Sequence, residues 1–324
     1  MKRVGAIDCG TNSLRLLIAD LSPEGSLHDV HREMRIVRLG EGVDATGSFG
    51  APALARTRAA LTDYAALLQE HSVPTVRMVA TSATRDAANR DEFFAMTADV
   101  LGSAVPGAVA EVITGTEEAE LSFRGAVGEL DSAAAPFVVV DLGGGSTEVV
   151  LGSSADVPGA APAATSGRAS YSANIGCVRL TERCLKSDPP TAAEIVEARA
   201  VVRDGLDAAF AAVPVERART WVGVAGTMTT LAALAMNLAA YDSDAIHLSR
   251  VGFDDLLQVC EALLALTRRQ RAALGPMHEG RVDVIGGGAI IVEELARALG
   301  GRAGINELVV SEHDILDGIA LSIA

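Results

Sequence analysis

Two stretches of this chain share one uncommon plan: an apolar run, an aspartate, a glycine-led turn carrying a serine, and a second apolar run. In residues 4–20 Asp8 is followed by Gly10-Thr11-Asn12-Ser13, and in residues 137–151 Asp141 is followed by Gly143-Gly144-Gly145-Ser146. Each reads as a buried β-hairpin with an acid and hydroxyls at its tip. Aligned on the aspartates, Gly10 falls on Gly143, Ser13 on Ser146 and Arg15 on Glu148. Such a repeat predicts a duplicated α/β architecture with the two tips facing a shared cleft. The opposite charges at Arg15 and Glu148 then give the copies different work.

The tips suggest a chemistry. Gly143, Gly144 and Gly145 have no Cβ, so the backbone can reach positive φ and bring several N–H groups onto one anion. Asp141 can hold a hydrated divalent ion beside that anion. A phosphate plus a metal is the first expectation.

The 324 residues suffice for two domains, and 49% hydrophobic with 21% charged residues describes a soluble globular chain. No apolar run has the length of a membrane span, and the N-terminus leads straight into a strand pattern, without a signal segment. Cys9, Cys177, Cys184 and Cys260 are scattered without metal-ligand spacing, which suits reduced thiols in a cytoplasm. A net charge of −15 argues against broad nucleic-acid or membrane binding. A polyanionic substrate would then need a local basic patch. Arg32, Arg35 and Arg38, along a strand pattern over 26–39, are candidates for it.

Elsewhere strands and helices alternate, as in an α/β protein of two related lobes. Helices are expected over 52–71, 114–127, 191–213, 253–271 and 314–323, and strands over 76–82, 109–113, 171–180 and 305–310. Arg85 is expected at the start of the helix after 76–82, adding charge to an anion-favouring N-terminus. Thr116 is the expected cap of the helix whose first turn holds Glu117 and Glu118. Glycines precede helices at Gly226-Thr227 and at Gly286-Gly287-Gly288. Residues 153–167, small and Pro-rich, read as a mobile surface loop. The lobes divide as 1–126 and 127–311, with a C-terminal helix over 312–324 able to pack back on the first.

Three other phosphate chemistries fit poorly. Cys9 and Arg15 have the spacing of cysteine-dependent phosphatases, but that site needs a loop entering a helix, and 14–20 continues as a strand. A P-loop is excluded because the only lysines, Lys2 and Lys186, follow no glycine loop. His313-Asp314 has the dipeptide of metal-dependent phosphohydrolases without the partner motifs.

Six segments occur in order: Asp8-Cys-Gly-Thr-Asn-Ser-Leu-Arg15, Ala80-Thr-Ser-Ala-Thr-Arg85, Thr114-Gly-Thr-Glu-Glu-Ala119, Asp141-Leu-Gly-Gly-Gly-Ser-Thr-Glu148, Asn174-Ile-Gly-Cys-Val-Arg179 and Gly223-Val-Ala-Gly-Thr227. Together, from about residue 4 to about 320, the chain resembles the exopolyphosphatase and guanosine pentaphosphate phosphohydrolase family, in a short form without an extra C-terminal domain. The resemblance implies an actin-like, ribonuclease H-like fold of two lobes with the site between them. It implies water attack on a terminal phosphoanhydride with Mg²⁺, Mn²⁺ being an alternative ion, and release of phosphate from inorganic polyphosphate or guanosine pentaphosphate. It implies Glu118 as the base, with Glu148 as a second catalytic acid. Asp141, Glu148 and Asp8 would serve the metal. Asn12, Ser13, Arg85, Gly143, Gly144, Gly145, Ser146, Gly226 and Thr227 would hold phosphoryl oxygens. A homodimer is also implied. Leu316 departs from the family, which carries an arginine there. The different-class alternative is an actin-like nucleotide-binding kinase or scaffold, from which Glu118 with Arg85 distinguishes this chain.

Overall fold

The computed structural model describes residues 1–23, 25–153 and 168–323. The loop expected over 153–167 therefore lies, from residue 154 onward, outside the described residues. Two compact units are present: Met1–Gly125 with Ile315–Ala324, and Ala126–Asp314.

The first unit carries strands β1 (Lys2–Cys9), β2 (Ser13–Leu21), β3 (Leu27–Ile36), β4 (Val76–Ala80) and β5 (Ala110–Val112), in the order β3-β2-β1-β4-β5. β1 and β2 are buried almost throughout because both sheet faces are covered. Ile7, Leu14, Leu16 and Ile18 enter a core with Leu61, Tyr64 and Leu68 of helix Ala51–Glu70. Val4, Ala6, Leu17 and Ala19 enter another with Ile315, Leu316 and Ile319 of helix Ile315–Ser322. The period-two alternation of the strands thus sends neighbouring residues to opposite layers. Leu316, where the resemblance would place an arginine, is a core residue here, 2% exposed.

The second unit carries β6 (Phe137–Leu142), β7 (Thr147–Gly152), β8 (Ala169–Ala173), β9 (Thr220–Val224), β10 (Arg250–Gly252) and β11 (Glu307–Val310), in the order β10-β11-β9-β6-β7-β8. Without β10 this is the order of the first unit. The pairing senses match as well: hairpin and third strand antiparallel, the next two strands parallel. Two mixed sheets of one topology, each flanked by helices, make the actin-like duplicated fold.

Several expected boundaries differ. The strand expected over 171–180 stops at Ala173, and Gly176 instead precedes helix Cys177–Cys184. The helix expected over 253–271 ends at Ala265 and restarts as Arg268–Arg271 behind a Thr267–Gln270 capping box. Gly286, Gly287 and Gly288 lie inside the first turn of helix Ile285–Ala303 rather than before it. A Cβ on Gly287 would stand 2.6 Å from the Cys177 carbonyl, and one on Gly288 2.5 Å from Thr227 Cγ2. Those glycines serve helix crossing, a tertiary demand that leaves no local signature.

Candidate functional site

In the first unit the turn between β1 and β2 is closed by Gly10 N–H donating to the Ser13 carbonyl at 3.0 Å. The Thr11 carbonyl accepts from Gly40 N–H, and the Asn12 carbonyl from those of Val37 and Arg38. In the second unit Gly143 N–H donates to the Ser146 carbonyl, also at 3.0 Å. There the Gly143 carbonyl accepts from Cys177 N–H, and the Gly144 carbonyl from those of Val178 and Arg179. Arg179 Nε adds a bond to the Gly145 carbonyl at 2.7 Å. The N–H groups of Gly144, Gly145 and Ser146 have no acceptor among the described residues. With its carbonyls satisfied, this turn keeps three N–H donors for a ligand, as an anion cradle requires.

One glycine packs on each turn. A Cβ on Gly40 would come within 2.3 Å of Thr11 Cγ2, and one on Gly176 within 2.4 Å of the Gly144 carbonyl oxygen. Neither Gly40 nor Gly176 was assigned a role from sequence, nor were Arg179 and Ser172. The signal for Gly176 was present in Ile175-Gly176-Cys177, but a glycine that makes room for a turn thirty residues away reads locally as any loop glycine.

The two hairpins differ as the aligned charges suggested. Asp8 stands opposite Arg15 in the register, and Arg15 Nη2 and Nε donate to Asp8 Oδ2 at 2.7 and 2.9 Å. Asp141 stands opposite Glu148, and both are buried, 6% and 1% exposed. Like charges facing across an antiparallel pair repel, more so in a low-dielectric interior. Glu148 accepts from Ser172 Oγ at 2.6 Å. Two buried carboxylates beside an anion cradle fit a hard divalent cation such as Mg²⁺.

Glu118 sits in the first turn of helix Gly115–Ala126, whose cap is Thr114, not Thr116: Thr114 Oγ1 accepts from Glu117 N–H. Glu118 Oε2 accepts from Arg85 Nη1 at 2.7 Å. Burial pushes the Glu118 carboxyl up to about 7; the Arg85 charge and hydrogen bond oppose this, Asp8 adds to it, and Thr81 opposes it. Arg85 lies in the last turn of the short helix Ser82–Asp86 rather than opening a helix, and it also donates to the Ile113 carbonyl. Glu117, the neighbouring acid, is held by Arg77.

Gly226 and Thr227 lie in the first turn of helix Ala225–Ala235, which follows β9 directly, and Val224 is in register with Asp141. Ala225 takes the left-handed φ of 71°, which is uncommon for alanine and marks the junction as over-determined by its surroundings. Arg281 Nη1 donates to Thr230 Oγ1 at 3.0 Å, and its guanidinium covers the face of Gly226. Arg281 was not singled out from sequence.

The basic track expected from Arg32, Arg35 and Arg38 is not upheld for the first two. Arg32 is bound to Asp317 and Asp29, and Arg35 to Glu33 and Asp63, so their charge is neutralised locally. The cysteine-phosphatase geometry is likewise absent, since Arg15 is engaged by Asp8 and burial raises the Cys9 thiol far above the ordinary range. No described helix is long and apolar enough to cross a membrane.

The model of the Ppx/GppA phosphatase family matches residues 17–323. The chain is 69% identical to Exopolyphosphatase 2 of Mycobacterium tuberculosis, with 100% of this chain and 99% of that protein covered. A solved exopolyphosphatase-like protein is 43% identical with a TM-score of 0.91, covering 99% of this chain and 98% of its own. The Aquifex aeolicus PPX-GPPA enzyme is 30% identical with a TM-score of 0.77, and 99% of each chain is covered. Matched by that family's model over almost its whole length, the chain belongs to the Ppx/GppA phosphatase family.

Proposed function

We propose that this chain is an exopolyphosphatase, a phosphoanhydride hydrolase that releases orthophosphate from the end of inorganic polyphosphate. The observation that carries the substrate class is the 69% identity, over the whole chain, to a protein named Exopolyphosphatase 2. The residue roles rest on the geometry of each unit. Glu118 takes a proton from the attacking water as a bond forms from its oxygen to phosphorus. The bridging P–O bond breaks, and the shortened chain leaves as an anion. A carboxyl near 7 matches this task, because a large share of it is ionised around neutral pH while it stays basic enough to accept the proton. Arg85 holds Glu118 in place and adds positive charge toward phosphoryl oxygens.

In the second unit the N–H groups of Gly144, Gly145 and Ser146 would donate to phosphoryl oxygens, and Asp141 and Glu148 would hold a divalent ion. Mg²⁺ bound there would neutralise phosphate charge. Asn12 and Ser13 are proposed to orient the substrate from the first turn, and Gly226 and Thr227 from the start of their helix. Asp8, bound to Arg15, is proposed to tune Glu118. The protein is further proposed to be a cytoplasmic homodimer; four buried, unpaired cysteines suit a reducing compartment.

The deciding experiment measures orthophosphate release with Mg²⁺ from polyphosphates of graded length, guanosine pentaphosphate, and ATP with and without sugars. Release from polyphosphate at the highest kcat/KM is expected. Turnover confined to ATP would overturn the assignment, and a preference for guanosine pentaphosphate would move it to the other activity of the resemblance. Light scattering on the same sample reads the oligomeric state.

A further inference from the structure

Away from the hairpins, three segments distant in sequence bring metal-ligating side chains together in the second unit. Glu129 follows helix Gly115–Ala126, His247 follows helix Ser243–Ile246, and His313 follows β11. Their ligating atoms lie within 4.8 Å of one another. Glu129 Oε2 is 2.9 Å from His247 Nε2, and Glu129 Oε1 is 3.6 Å from His313 Nδ1. A tetrahedral shell at about 2.0–2.1 Å sets its ligand atoms about 3.3–3.4 Å apart, so a cation would draw one carboxylate oxygen and the two ring nitrogens in from the 4.8 Å within which they lie. The imidazoles pack with centroids 4.5 Å apart, so they approach the carboxylate together.

We propose that Glu129, His247 and His313 bind one borderline transition-metal ion, Zn²⁺ by preference, with water in the remaining position. Two imidazoles and a carboxylate are ligands that select such ions over Mg²⁺, so this site is chemically distinct from the Asp141–Glu148 pair. The Glu129 side chain is 57% exposed, which supplies an entry path. Neighbouring groups are otherwise engaged: the Glu312 carboxylate accepts from Tyr241 Oη.

The site has a structural consequence. The chain passes between its two compact units after Gly125 and after Asp314. Glu129 and His313 therefore belong to the two segments of the second unit nearest those passages, and a metal would tie them to each other through His247. Loading also changes a tautomer. His247 Nδ1 accepts from Glu312 N–H at 3.2 Å, which leaves the ring proton on Nε2 facing Glu129. A cation at Nε2 moves that proton to Nδ1 and releases the Glu312 amide.

The test uses the untagged full chain, stripped with chelator and titrated with Co²⁺ alone at saturating Mg²⁺. One equivalent should bind with a visible d–d absorption band that Zn²⁺ abolishes, and the Glu312 and His313 amide resonances should shift on loading. His313→Ala and His247→Ala should each weaken binding by more than the 10–100-fold typical of losing an outer-shell partner. Glu129→Gln, nearly isosteric and exposed, keeps the test valid if a histidine variant fails to fold, and should weaken binding at least about tenfold. A wild-type chain without the band, or a Glu129→Gln chain with unchanged affinity and spectrum, would overturn the proposal.

Discussion

Glu118 carries the most specific consequences of any residue. Its carboxyl is ionised only above about 7, while an unfolded glutamate ionises near 4.5, so the folded state holds an extra proton between those values. Stability contributed by that proton is present below 4.5 and is lost as pH rises toward 7. The window should vanish in Glu118→Gln, read as urea midpoints against pH. Activity runs the opposite way, because the base must be ionised. The acid limb of kcat/KM should lie near 7 at low Mg²⁺; Arg85→Met should move it up and Asp8→Asn should move it down, since Arg85 depresses and Asp8 raises the carboxyl. An unmoved limb in both variants would remove Glu118 as the titrating group. Glu118→Gln should cost about 10²–10⁴-fold in kcat with polyphosphate binding nearly unchanged, measured by single turnover and equilibrium binding. Asp141→Asn should raise the Mg²⁺ concentration for half-maximal rate, and an identical metal titration would exclude Asp141 as a ligand.

Among elements, the glycine turn and helix Cys177–Cys184 act as one object, because Cys177, Val178 and Arg179 N–H groups hold the turn's carbonyls. Gly176→Ala drives a methyl to 2.4 Å from the Gly144 oxygen, and backbone cannot rotate away. We expect destabilisation of about 1–3 kcal/mol and a larger loss of kcat than of stability, because the displaced atoms belong to the anion cradle. Gly128→Ala, where an added Cβ meets nothing within 4 Å, is the control. Thr191→Ala should behave in the contrary way. It removes a reciprocal capping box at the start of helix Ala192–Ala212, for about 1 kcal/mol in chemical denaturation, and leaves kcat as it was. Much at this scale was legible beforehand. Hairpins reveal themselves by apolar runs around a polar tip, and the long helices by length and caps. The short helix Cys177–Cys184 was not legible, since so few residues carry no resolvable periodicity and its first N–H groups are held by the glycine turn.

Across the whole molecule, helix Ile315–Ser322 returns the chain's end to the first unit. Gly318 meets helix Gly115–Ala126 so closely that a Cβ would stand 2.0 Å from the Leu121 carbonyl oxygen. Leu316→Ala should therefore cost about 2–5 kcal/mol, read as a lower urea midpoint. A cost near zero would mean that the last helix is not part of that unit's core. The net charge of −15 was expected to demand a basic track, yet Arg32 and Arg35 are consumed by Asp317, Asp29, Glu33 and Asp63. Composition counts charges, whereas pairing depends on which strands and helices lie together.

Sequence alone determined the duplication, the two polar tips, the opposite charges at Arg15 and Glu148, and the family, because these are local patterns written in consecutive residues. Only the tertiary structure decided which acid is matched by an arginine and which faces another acid, and where Glu118 and Arg85, 33 positions apart, meet. It also decided that Gly40 and Gly176 make room for the turns. The physical reason is common to all three: register, burial and close approach are relations between distant segments, and a residue's own neighbours in sequence do not encode the electrostatic environment those relations create.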